Sequence, residues 1–358
     1  MPDLMSSTSR HQLPEGSRRV RDYLRSRRCD GSPRRTGATT TKSSPRTTSR
    51  IASVGLLLVV VALAVGIPFS SPKAGATAMP AATTSHYEAN VGSATLDSQG
   101  SAAGWAGTQG LVILDFGRPA VRGSISGTMD FNGNFVSLGS IVAATMSYVQ
   151  GYFASAPPNL HLDVAIGTNN SCGTGQPCGG TVCGCRFEPP SFAAWGARQA
   201  AAVEQAQSEA NSLRTRSSFT DVVTVVAGDD AEPAFDPGYQ NTYDLLAGYA
   251  NAVGGFQPAM IDFGSAEPGF WSSDQLLQIA DGFRPNLAVP EIYFKSQVSS
   301  WASLASYAET RGRVLTFFGV LTNAPNGGSP QAGYSSLLNA ILPITGQSAI
   351  RWPSNISR

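Results

Sequence analysis

Three histidines in 358 residues are a thin supply. His11 sits in the N-terminal tail, so a zinc hydrolase built on several imidazole ligands has only His86 and His161 to draw on, and that chemistry is set aside. No Gly-x-Ser-x-Gly stretch occurs, which removes the elbow of a serine hydrolase. No phosphate-cradling glycine loop closing on Lys is present either, and nothing calls for a cofactor. Charge is also scarce, at 14% of residues, and sums to +1.

That near-neutral sum hides an asymmetry. Residues 1–50 hold 12 of the 25 Lys and Arg against four acids, while the rest of the chain carries 13 basic and 20 acidic residues. Between the two lies IASVGLLLVVVALAVGIPF, Ile51 to Phe69, 19 residues without a charge. A helix of that length just crosses a hydrocarbon core of ~30 Å. The basic flank orients it with the tail inside, so the sequence predicts a disordered cytoplasmic tail (1–50), a transmembrane signal anchor (51–69), a flexible linker (70–104) and an exported domain (105–358). A cleaved export signal is the alternative, since KAGATAMPA offers small residues to a peptidase. With Tyr23 as its one aromatic, the tail reads as an orientation signal; no nucleic-acid partner is expected.

Cysteine usage agrees with export. Cys172, Cys178, Cys183 and Cys185 crowd into CGTGQPCGGTVCGC, which predicts disulfides stapling a loop, with three pairings open. The spacing is not a paired Cys-x-x-Cys pattern and no His is near, so no metal is expected there.

The exported part alternates short apolar runs with helical patterns. LVILDFG (111–117), LHLDVAIG (160–167), DVVTVVAG (221–228), PAMIDFG (258–264), NLAVPEIYF (286–294), RVLTFFGVLT (313–322) and SAIRW (348–352) read as strands buried on both faces. Segments such as SFAAWGARQAAAVEQAQSEANSLR between them read as helices starting on Ser or Thr. The class is α/β, and about 255 residues suit a (β/α)8-type barrel. Seven strands are visible; GSISGTMDF is the candidate eighth, and a doubly wound open parallel sheet is the alternative.

A parallel barrel works at the carboxyl ends of its strands, and acids gather there in this sequence. Asp115 closes the first run, GDDAEP (Gly228–Pro233) follows the third, Asp262 and Glu267 the fourth, and Glu291 lies in the fifth. Period-two alternation sets Asp230 and Glu232 on one face with Asp229 opposite. Asp115 and Asp262 recur in LDFG and IDFG, where hydrogen bonding to nearby backbone is the structural reading beside ligand binding. Glu267 and Asp229 read as ligand contacts or as solvated and helix-capping acids. Asn169, Trp271, Tyr293 and Trp352 complete a candidate sugar-binding rim of amides and flat rings.

The barrel pattern, Asp230-x-Glu232, Glu291 at a strand end and Trp352 on the last strand resemble secreted barrel glycoside hydrolases. The chain also resembles a group of exported actinobacterial proteins. Within the hydrolases, similarity to the chitinase-like group implies an assisting Asp230 and an acid Glu232, although the longer Asp-rich and aromatic signature around that motif is absent. The expectation is a glycan hydrolase using Glu232, Glu291 and Asp230. A surface barrel that binds glycan without cleaving it is the other reading.

Overall fold

The computed structural model describes residues 78–171, 187–235, 239–254, 258–284, 286–324 and 328–357. The tail, the apolar run 51–69 and all four clustered cysteines fall outside them, as do the anchor and disulfide expectations that rest on those residues. Among the described residues, no helix is long and apolar enough to cross a membrane.

In chain order the strands are β1 (Thr83–Tyr87), β2 (Gly110–Asp115), β3 (Arg118–Arg122), β4 (Ile125–Met129), β5 (Phe135–Ser137), β6 (His161–Asn169), β7 (Val222–Asp230), β8 (Met260–Asp262), β9 (Asn286–Ala288), β10 (Gly319–Thr322) and β11 (Trp352–Ser357). The helices are α1 (Ser93–Trp105), α2 (Leu138–Ser155), α3 (Phe192–Ser217), α4 (Gln240–Ala252), α5 (Ser273–Asp281), α6 (Lys295–Thr310) and α7 (Pro330–Thr345). Eight strands pair side by side in the order β10-β11-β1-β2-β6-β7-β8-β9, all parallel. Single bridges from Ala288 to Phe317 and from Glu291 to Leu321 bring β9 round to β10. The sheet is therefore a nearly closed parallel barrel, and the open-sheet alternative falls away.

The strands β2, β6, β7, β8 and β10 bury residues on both faces. Val226, Ile113, Ala165, Ile261 and Leu321 fill the barrel interior, while their sequence neighbours Val225, Leu114, Val164 and Met260 pack outward against the helices. Helices start where a side chain can satisfy free N–H groups: Ser191 accepts from Ala194 at the start of α3, and Ser272 and Gln275 cap α5 reciprocally. Glycines let α3 and α4 touch backbone to backbone. A Cβ at Gly196 would lie 2.1 Å from the Leu245 carbonyl oxygen, and one at Gly248 would lie 2.0 Å from that of Ala193.

Two expectations change. The eighth barrel strand is β1, inside the stretch 70–104 read as linker, and α1 follows it there. Thr83 and Ser85 face the interior as hydroxyls bonded to Ser354 at 2.8 and 2.7 Å, so this strand has no apolar run to betray it. GSISGTMDF instead supplies β4 of a separate three-stranded antiparallel sheet, β3–β5.

Candidate active site

The carboxyl ends of the strands carry a cluster of acids, and strand parity decides which of them face the barrel interior. In β7, Val226 points inward, so Gly228 and Asp230 do too, while Asp229 turns toward the helices and accepts from Thr168 Oγ1 at 3.2 Å. Both aspartates belong to the strand itself, which runs further than its apolar run suggested. Two residues on, Glu232 lies partly exposed at the mouth. Its peptide is held on both sides by Asn170, whose Oδ1 accepts from Glu232 N at 3.0 Å and whose Nδ2 donates to Glu232 O at 3.1 Å. This side chain stands in for a neighbouring strand where the β6–β7 ladder ends.

Glu291 reaches the same place from the other side of β8. It follows inward-facing Val289 by two residues and is buried. One oxygen atom from each of Asp230, Glu232 and Glu291 lies within 4.8 Å of the other two, and Glu232 and Glu291 are hydrogen-bonded to each other. Gln297, in the first turn of α6, donates to Glu291 Oε2 at 3.2 Å while its own oxygen caps the N–H groups of Tyr293 and Phe294. Tyr293 also hydrogen-bonds Glu291, and its hydroxyl lies 2.8 Å from that of Tyr87 at the end of β1. Behind them Asp115 accepts from Gly117 N at 2.8 Å and from Asn169 Nδ2 at 3.3 Å.

Crowding of buried acids has a clear electrostatic result. Burial, then the charge of Glu232, then that of Glu291, holds Asp230 well above the usual carboxylate range. Burial and the charge of Glu291 raise Glu232 likewise, and the hydrogen bond with Glu291 adds to the rise. Glu291 is pushed up to about 7 by burial, with Tyr293, Glu232 and Gln297 opposing the shift through hydrogen bonds to its charged form. Crowding and burial thus favour protonated carboxyls in this cluster over the charged ones that exposed acids would carry.

The remaining expected residues scatter. Asp262 repeats the local geometry of Asp115, accepting from Gly264 N at 3.3 Å, but flanking Ile261 and Phe263 face the interior and so Asp262 faces the helices. Glu267 is exposed at the mouth, close enough for its charge to raise both Glu232 and Glu291. Trp271 is no open platform: it is buried in the helix layer against Tyr239, with ring centroids 5.6 Å apart. Trp352 begins its strand instead of ending it, so it lies at the opposite face of the barrel with Arg351, His161 and Asp163. Tyr87 and Gln297 give no signal in the sequence. Tyr87 ends a polar strand, and Gln297 looks like any helix-opening residue.

A surface groove of about 820 Å³ runs along α3 past Glu204, Gln207, Asn211 and Thr215, away from the carboxylates. Among the described residues, the acids close enough to share a ligand lie at the mouth instead. No protein-family model matches the chain, and no curated protein does either.

Proposed function

We propose that the chain is a glycoside hydrolase in which Glu232 is the general acid, Glu291 the base or nucleophile, and Asp230 their electrostatic partner. The observation that carries this reading is the convergence of Asp230, Glu232 and Glu291 above the barrel interior, where one oxygen of each lies within 4.8 Å of the other two and Gln297 donates to Glu291. Acid/base cleavage of an acetal needs two carboxyls with unequal proton affinity in one cleft. Retaining enzymes space them at ~5–5.5 Å and inverting ones at ~6.5–9.5 Å. Carboxyls already in contact need only part slightly to admit a glycosidic oxygen, which favours retention. Asn170 and Gln297 fix the two residues from behind, and Tyr87 and Tyr293 offer hydroxyls and ring edges to a sugar.

Envelope or extracellular polysaccharide is the proposed substrate, and anchoring through residues 51–69 belongs to the same reading. Full-length protein incubated with such glycans is expected to release reducing ends. Glu232→Gln and Glu291→Gln should each lower turnover by about 10²–10⁴-fold. Equal turnover by wild type and Glu232→Gln would remove the assignment. Saturable glycan binding without cleavage by wild type would move the chain to a non-catalytic, glycan-binding surface barrel.

A further inference from the structure

The carboxylate cluster has a second capacity that acid/base work does not use. We propose that Asp230, Glu232 and Glu291 form a binding site for a hard divalent cation of calcium size. The donors are all carboxylate oxygens, the ligand type of calcium or magnesium and not of zinc or copper. Donor type separates the first two. Calcium takes ~6–8 oxygens, several of them protein carboxylates, while magnesium keeps several waters and is held through one or two carboxylates. Three carboxylates with oxygens within 4.8 Å of one another suit calcium.

An acidic cluster alone would not warrant a ligand, but two further oxygens point to one. Asp230 is 4% exposed, and its Oδ1 is buried with no hydrogen-bond partner among the described residues. Asn323 is 7% exposed, and its Oδ1 is equally unpartnered there. It follows the inward-facing Leu321 of β10 by two residues, and Leu321 bridges to Glu291, so strand parity turns the Asn323 amide inward at the mouth just beyond Glu291. Buried oxygens without donors are rare in folded proteins, and a cation supplies what both lack.

This proposal stands apart from glycan hydrolysis, since binding needs no substrate. If the hydrolase reading also holds, a cation on Glu232 and Glu291 occupies the oxygens that exchange the proton, and the cation-bound form is the inactive one.

Full-length protein stripped with EDTA and titrated with terbium(III), a calcium-sized probe, gives the direct test. Tyr87 and Tyr293 adjoin the cluster, so aromatic excitation should yield a saturable terbium emission that calcium displaces and magnesium displaces at least tenfold less well. Asp230→Asn and Glu291→Gln should each weaken terbium binding at least tenfold with circular dichroism unchanged. Two independent removals keep the result readable if one variant folds poorly. Glu204→Gln, in the groove along α3, should bind as wild type does. Absence of saturable emission, or equal emission from wild type and both cluster variants, would overturn the proposal. Hydrolysis measured separately in EDTA leaves the terbium result independent of whether any glycan is cleaved.

Discussion

Asp115 and Asp262 show how far a single residue can be read. Both sit in a D-F-G stretch at a strand end and both bond the glycine two residues on, yet one faces the barrel interior and the other the helices. Only the register of the surrounding apolar residues separates them, and in continuously apolar strands that register leaves no trace in the sequence. Their proton affinities are alike: burial pushes Asp115, Asp262 and Glu291 each up to about 7, from ordinary values of 3.8, 3.8 and 4.5. The folded state therefore holds these protons to higher pH than the unfolded chain does. Their contribution to stability is full below the ordinary values and is lost as pH rises through about 7. In EDTA, the melting temperature should fall between pH 5 and pH 8, and Asp230→Asn should flatten that fall by removing one of the acids whose proton affinity burial raises. A melting temperature that rises across the same window would contradict the arrangement. Gln297→Ala leaves Glu291 Oε2 short of a donor and two N–H groups uncapped, and should cost about 1–3 kcal/mol in urea denaturation.

At the scale of elements, the sequence was legible wherever a strand or helix buries an apolar face. The long Ala- and Gln-rich α3 starts on the Ser expected of it, and the six apolar runs from 111 to 322 all contain barrel strands. The exceptions have a common cause in polar interiors. TTSHY forms β1 because its inward hydroxyls find partners on β11 and β2, and such partners are invisible from within the strand. SAIRW was placed too early because the strand after it, WPSNIS, is again half polar. Contacts between helices were equally hidden, since a glycine that admits a neighbouring backbone looks like a glycine that ends a helix. Gly248→Ala is expected to cost about 1–3 kcal/mol by wedging α4 away from α3, against the small gain that alanine gives an open helix position. A shift in urea midpoint measures it, and an unchanged midpoint would show that the helices do not meet there.

Taken as a whole molecule, the barrel is unevenly sewn. From β10 through β11 and β1 to β9 the strands form ladders, but between β9 and β10 only isolated bridges occur, with Pro290 unable to donate in the middle. Three backbone bonds, from Phe318 to Ala288, Leu321 to Pro290 and Ile292 to Leu321, span that seam, each 2.8 Å. Amide hydrogens of Ile292, Phe318 and Leu321 should exchange faster than those bonded within the β6–β7 ladder, and equal protection would show the seam to be as firm as the rest. Elsewhere closure depends on partners far apart in the chain: Thr83 meets Ser354, 271 positions later. During synthesis β1 leaves the ribosome before its partners and can join β2 as soon as that strand is made. Its other edge has nothing to pair with until β11 follows, 271 positions after Thr83 at Ser354, so that edge is open to wrong partners while all the intervening strands are made. The polar character that concealed this strand in the sequence is then a safeguard, because a row of hydroxyls facing water is a poor nucleus for aggregation while the chain waits to close.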